Sequence, residues 1–321
     1  MVNSAIFERM LPHAAKHGLR IIAMNSRDYS ESTPYTPDEL SDFTSHRADV
    51  QDAAVRRWGF EICSFLAYVC SQLAIPRVTG LAEKKRGGLV LLTWSLSNMA
   101  AAAVLGDTRT MGDKLTSRLA PYLRMIVLYD TPALTLGVGP NLMLTWPMAD
   151  PGIPVDQKAA KFNEWVSTYY TPHPDGAPIT AESLHARTEL PRTPTLCAVS
   201  SAELQRVTNP EIAFRAGLIV NADPCTLRRH ARTMFLDADA VLPEVEVVAV
   251  WCDQTFWLAV WGAKVVKEFI DEQPDAGKRK RKASMLMVKD ANHFLHWDEP
   301  ERMVHLLAKI CTPFPPSLAR L

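Results

Sequence analysis

Ser95 stands where a serine can act as a nucleophile. The segment Gly88-Leu-Val-Leu-Leu-Thr-Trp-Ser95-Leu-Ser-Asn98 reads as a buried apolar strand that runs into a small-residue turn and then into the alanine-rich helix Met99 to Leu105. A serine at such a corner lies on a tight, strained turn with its hydroxyl exposed, and the backbone N–H of Leu96 is aimed at any oxyanion forming beside it. The helix amino terminus adds a favourable dipole. Serine also caps helices, and the local sequence leaves the two roles even. Two later segments break the tie. The strand Val245-Glu-Val-Val-Ala-Val-Trp-Cys-Asp253 delivers a carboxylate at its carboxyl end, and Met285-Leu-Met-Val-Lys-Asp-Ala-Asn-His293-Phe delivers an imidazole just past a final strand. In a parallel sheet all carboxyl ends lie along one edge, so Ser95, Asp253 and His293 are expected to converge there. Ser95 would then attack a carbonyl while His293 takes its proton, Asp253 fixes the imidazole tautomer and the Leu96 N–H binds the oxyanion.

The elements that must position these groups follow from periodicity. Strands are expected at Leu19 to Asn25, Leu89 to Trp94, Met125 to Tyr129, Val245 to Trp251 and Met285 to Val288. Helices with an apolar stripe are expected at Ile6 to His17, Ala48 to Leu73, Asn98 to Leu105, Trp257 to Asp271 and Pro300 to Ile310. This alternation specifies an α/β class, a mostly parallel sheet flanked by helices. From about Thr131 to Ala240 the rhythm breaks: prolines cluster, and Gln157 to Tyr170 and Ala181 to Leu190 look helical with no strand between them. The expected organisation is a core of residues 1–130 and 241–321 with an inserted helical cap at 131–240, whose apolar wall covers a cleft. A separate small helical domain is the rival.

Composition narrows the partners. The 321 residues carry 35 Lys+Arg against 35 Asp+Glu, and 47% are hydrophobic, so disordered and coiled-coil classes are excluded and a large core is available. Zero formal net charge argues against a general nucleic-acid binder, which needs a cationic surplus. A small-molecule acyl substrate is the expected partner; the oligomeric state is left open. The six cysteines form no CxxC pair and no metal-ligand spacing with the nine histidines, so neither metal nor organic cofactor is implied. No apolar run approaches the roughly 20 residues of a membrane span, and the amino-terminal residues lack a signal-peptide layout. A reducing cytoplasm is the expected location. The run Lys278 to Lys282, KRKRK, reads as a solvated loop leading into the last strand, with a nuclear address as the lesser reading. Gly137-Val-Gly139 reads as cap entry, His296 as packing or rim, and Trp146, Trp165, Trp257 and Trp261 as core or the wall of an acyl pocket.

The chain resembles the α/β-hydrolases, in detail the fungal esterase-like members of that superfamily. Thr93-Trp-Ser95-Leu-Ser97 is similar to the family's G-x-S-x-G turn, Trp251-Cys-Asp-Gln-Thr255 resembles its acid loop, and Asn292 to Glu301, NHFLHWDEPE, resembles its histidine loop with the helix after it. Asn25-Ser-Arg27-Asp-Tyr29-Ser-Glu-Ser32 has the spacing of its D-x-R-G-x-G-x-S segment. The resemblance implies Ser95 as nucleophile, His293 as base and Asp253 as orienting acid, and hydrolysis of an ester, thioester or lactone of a hydrophobic small molecule, with secondary metabolism as the setting it suggests. Some members take the acid from one strand earlier, which makes Asp130 the alternative. Serine rather than aspartate at 95 argues against the epoxide hydrolase and dehalogenase branches. Thr93 and Ser97 replace the two glycines of the turn, and the branched Cβ of Thr93 raises a question of strain. In the family the first strands, and a His-Gly turn supplying a second oxyanion donor, precede the segment that begins here at residue 1. The Leu19 and Leu89 strands are then expected either to pair directly or to leave a gap. A binding protein with an impaired oxyanion site is the rival function, acyl transfer or cyclisation by the same triad is a further alternative, and N–H groups of residues 1 to 4 are candidate replacement donors.

Overall fold

The computed structural model describes residues 2–29, 31–80, 85–139, 146–209, 212 and 222–311. Four strands, β1 (Leu89–Trp94), β2 (Leu123–Tyr129), β3 (Glu246–Cys252) and β4 (Ala283–Val288), form one parallel sheet in the order β1-β2-β3-β4. The α/β class read from periodicity holds. Parallel strands need crossovers that lay helices on both faces, so every strand must bury two sides. The side chains alternate accordingly. On β2, Ile126 and Leu128 enter a core shared with the helices Ala48–Gln72, Asn98–Leu105 and Pro224–Leu236. Met125, Val127 and Tyr129 face the other way, toward Trp257, Phe294 and Trp297.

Four of the five expected strands form within two residues of their expected ends, but residues 19–25 do not. A strand needs a neighbour to take its N–H and C=O groups, and among the described residues no strand pairs with this stretch. Its Leu19 N–H returns to Ala14 O, Ile22 is 39% exposed, and the Asn25 side chain accepts from the Ser4 N–H. The expected helix Ile6 to His17 is likewise broken into a 3-10 turn Ser4–Met10, a single α turn Leu11–Ala14 containing Pro12, and a 3-10 turn Ala15–His17 closed by Gly18 at φ 68°. Arg27 is an anchor: its guanidinium binds Glu39 at 2.7 Å and Glu61 at 2.8 Å and lies over the Tyr35 ring.

The region expected as a single cap divides in two. Leu227, Ala231, Met234 and Phe235 of the helix Pro224–Leu236 pack into the core beside β1 and β2. The helices Val155–Ser167, Ala181–His185 and Ser201–Val207 instead meet the loops beyond β3 and β4 and the amino-terminal turn. There the Tyr170 N–H donates to Gln254 O, the His173 N–H to Asp253 O and the Asn3 N–H to Val207 O.

One glycine sets how closely a helix approaches the sheet edge. A Cβ built on Gly262, within the helix Trp257–Asp271, would lie 1.7 Å from the Thr131 carbonyl oxygen. That carbonyl directly follows Asp130, so the approach fixes the end of β2. Gly262→Ala is expected to cost about 3 kcal/mol, the upper end for overpacking, seen as a lower urea midpoint at unchanged m. A loss of only a few tenths would show that the helix can retreat.

Candidate functional site

β1 ends at Trp94 and the chain turns at once into Ser95, whose φ of 55° is left-handed. A non-glycine residue pays about 1–2 kcal/mol for that conformation, so the surroundings must hold it. Asn98 does so. Its Nδ2 donates to Ser95 O at 2.8 Å and to Tyr129 O at 3.0 Å, while its Oδ1 accepts from Thr93 Oγ1 at 2.8 Å. The strain question at Thr93 is thereby answered: its hydroxyl joins the bracket that ties β1 to β2 across the turn. Ser97, at the other replaced glycine, closes on itself, with Oγ accepting from Trp94 N at 2.7 Å and donating to Trp94 O at 2.6 Å.

β2 is followed directly by Asp130, also left-handed at φ 48° and completely buried. One carboxylate oxygen accepts from the Cys252 N–H at 3.0 Å. The other accepts from Thr255 Oγ1 at 2.5 Å and lies 2.5 Å from His293 Nδ1. The carboxylate on the imidazole is therefore Asp130. The expectation that Asp253 holds His293 is corrected: Asp253 Oδ1 accepts from the Ala291 N–H at 3.4 Å, and burial pushes its pKa up, opposed by backbone hydrogen bonds from Asp290 and Ala291. The physical reason is register. β3 runs to Cys252, so the residue after it faces the histidine loop's backbone, while β2 stops at Tyr129 and turns its next side chain toward the ring.

His293 is clamped by its own carbonyl, which accepts from Trp94 Nε1 at 3.1 Å and Tyr129 Oη at 3.3 Å. Its ring lies against Trp94 and Phe256, centroids 4.8 Å away in both cases, and against Phe294 at 5.5 Å. Nε2 is buried with no hydrogen-bond partner among the described residues, so Ser95 Oγ makes no hydrogen bond to it here. Among buried polar atoms such an orphan is uncommon and calls for a reason. His296 proves to be packing, stacked on Phe7 at 4.5 Å with burial holding it neutral. The replacement oxyanion donors suggested for residues 1 to 4 are committed in two cases: the Asn3 N–H goes to Val207 O and the Ser4 N–H to the Asn25 side chain. Of the four tryptophans, Trp165 reaches the site's wall, 4.7 Å from Phe256, with Trp146 behind it at 6.4 Å; Trp257 is core.

Two residues that sequence reasoning did not single out complete the surroundings. Thr255 is the second donor to Asp130, and its signal lay in the Trp251 to Thr255 motif itself. Arg187 sends its guanidinium to Thr171 O at 2.9 Å, Asp253 O at 2.6 Å and Thr255 O at 2.6 Å, and burial lowers its pKa to about 10. Remote from this edge, Asp52, Asp107 and His230 bring possible ligand atoms within 4.8 Å of one another. Arg56, Arg109 and Arg229 already supply cationic partners to that cluster, which makes it an ion network rather than an open cation site.

No family model matches the chain, and no curated protein matches it. Solved structures resemble it at low identity. The bromoperoxidase from Bacillus anthracis aligns with a TM-score of 0.43 and 11% identity over 95% of this chain and 86% of that one. Polyneuridine aldehyde esterase aligns with a TM-score of 0.43 and 11% identity over 96% and 94%. Tomato methylketone synthase I in complex with 2-tridecanone gives 0.41 and 10% over 96% and 93%. No helix among the described residues is long and apolar enough to cross a membrane.

Proposed function

We propose that this chain is a serine hydrolase of the α/β-hydrolase kind, acting on an ester, thioester or lactone of a hydrophobic small molecule, with Ser95, His293 and Asp130 as its triad. The observation that carries the reading is the buried Asp130–His293 pair, with Nε2 unspent, on the edge where β1 delivers Ser95 in a strained turn. Asp130 holds the proton on Nδ1, which leaves the Nε2 lone pair to accept the Ser95 proton as Oγ attacks the carbonyl. The Leu96 N–H, next along the turn after Ser95, would donate to the oxyanion. Expulsion of the alcohol or thiol takes the proton back from Nε2, and water then repeats the sequence to release the acid. Trp94, Phe256, Trp165 and Phe294 make an apolar wall, which fits a hydrophobic acyl group. Residues 146–209 serve as the cap. All six cysteines are free, in keeping with a reducing compartment such as the cytoplasm. A role in secondary metabolism stays attached to the sequence resemblance alone.

A second reading, a non-catalytic binding protein, is favoured by closure: His293 is only 1% exposed. A fluorophosphonate probe separates the two. Folded wild-type protein is expected to be labelled on Ser95, with Ser95→Ala unlabelled and His293→Gln slowed about 10⁴-fold. No labelling of protein shown by circular dichroism to be folded would leave the binding reading.

A further inference from the structure

We propose that Arg187 is a positioning residue for the Asp130–His293 pair and that it acts through Thr255. The inference rests on the hydrolase reading of the site. Arg187 stands outside the sheet, just past the helix Ala181–His185, and two of its three carbonyl partners, Asp253 and Thr255, belong to the turn that follows β3. Thr255 is the residue in that turn whose hydroxyl donates to Asp130 Oδ2, the same oxygen that faces His293 Nδ1. The path is continuous: guanidinium to turn backbone, hydroxyl to carboxylate, carboxylate to imidazole, with no link longer than 2.6 Å.

Three features separate this from ordinary packing. Arg187 is half-buried, and a guanidinium drawn out of water is costly unless its donors are used and its charge is answered. Among the described residues Arg187 forms no ion pair; the nearby carboxylates of Asp253 and Asp130 oppose its charge, and its guanidinium carbon lies 5.6 Å from the centroid of the Tyr170 ring. Its planar fork spans the carbonyls of residues 171, 253 and 255 together, which a lysine's single ammonium cannot copy. Thr255, in turn, is completely buried and faces a carboxylate that pairs with no arginine or lysine among the described residues, so its hydroxyl, with the Cys252 N–H on the other oxygen, fixes how that carboxylate is rotated.

The test is a double-mutant cycle on fluorophosphonate labelling, with saturation kinetics to separate binding from the chemical step. Arg187→Met and Thr255→Val are each expected to lower the maximal labelling rate roughly tenfold to a hundredfold, the scale of a misplacement near 1 Å, with the probe's half-saturation unchanged. Because one acts through the other, the double variant should be no slower than the slower single one. Thr255→Ser, which keeps the hydroxyl, should restore the rate. Losses that multiply in the double variant, or a serine variant as slow as the valine one, overturn the proposal. Arg187→Lys stands in if the methionine variant does not fold, and is expected to be as slow.

A second readout does not need Ser95 to react. In protein carrying ¹⁵N-histidine, the proton between His293 Nδ1 and Asp130 is the downfield imidazole resonance lost in His293→Gln. It is expected to move upfield in both Arg187→Met and Thr255→Val. An unmoved resonance in both refutes the positioning role even if labelling succeeds. A moved resonance in a protein that the probe never labels upholds it while the hydrolase reading falls.

Discussion

Asp130→Asn is expected to slow labelling of Ser95 about 10⁴-fold, the penalty seen when a triad acid becomes an amide, whereas Asp253→Asn should leave the rate within a few-fold. The two changes are chemically identical and fall one strand apart, so the contrast isolates position. In the first, the asparagine Oδ1 can still accept from the Cys252 N–H, and its Nδ2 can donate to the Thr255 hydroxyl oxygen in place of the bond it replaces, so the fold survives. Its amide N–H₂ would then face Nδ1, and the imidazole would have to carry its proton on Nε2. An Nε2–H cannot take the serine proton. In the second, the carboxylate being replaced is already raised in pKa by its burial and touches the Ala291 N–H, not the ring. A neutral amide there relieves desolvation, so the urea midpoint should hold or rise. The opposite ranking of labelling rates would return the acid's role to Asp253.

That choice shows where a sequence stops being legible. That Ser95 and His293 lie just past strands of one parallel sheet was readable because strand ends, turn residues and their order along the chain are local features. Asp130 and Asp253 both follow strands and both satisfy that description. What separates them is a few ångströms of register and the left-handed φ of Asp130, neither of which has a residue-type signature. Thr255 was the one visible hint, since a hydroxyl two residues past Asp253 can reach back to the neighbouring strand's end. The bracket around Ser95 was similarly in plain view as Thr93 and Asn98, five residues apart. Without coordinates, a threonine at the glycine position signals only strain, because its partner on the other side of the turn is not known.

The fold divides along the same line. β1 to β4 are continuous apolar runs whose neighbours exist, so propensity and pairing agree. Residues 19–25 have the same β-branched, apolar character but no strand neighbour among the described residues, and β-propensity measures packing on a pleated surface rather than an intrinsic preference. The helix Pro224–Leu236 was drawn into the cap because no strand separates it from the helices before it. Its burial beside β2 is a tertiary fact that periodicity cannot carry.

The largest structural effect is expected at Arg281, inside the run that composition presents as a solvated basic loop. Its backbone N–H binds Phe235 O, and its guanidinium, 2% exposed, reaches the carbonyls of Met234, Ala238, Val241, Leu242 and Val245. Those carbonyls close the end of the helix Pro224–Leu236 and the whole connection into β3, so one side chain ties the crossover to the foot of β4. Burial lowers its pKa, to about 10, yet leaves it cationic at neutral pH. The rest of the run is also committed: Lys278 lies within 3.4 Å of Asp237 and of Asp275, Arg279 is paired with Asp239, Lys280 with the carbonyls of Ile270 and Glu272, and Lys282 with Glu246. A receptor that reads basic chain as an extended peptide would have to unfold this corner first. Arg281→Ala strands five buried acceptors and opens a void, and is expected to cost about 3–5 kcal/mol, as breaking a buried charged network does. Arg281→Lys keeps the charge but offers three donors from one point, and most of the loss should remain. Lys282→Ala, from a side chain 67% exposed, is expected to stay within about 0.5 kcal/mol. Urea unfolding of the three variants decides it. If Arg281→Ala proved as mild as Lys282→Ala, water would be able to reach those carbonyls, and the run would be the open loop that its composition suggests.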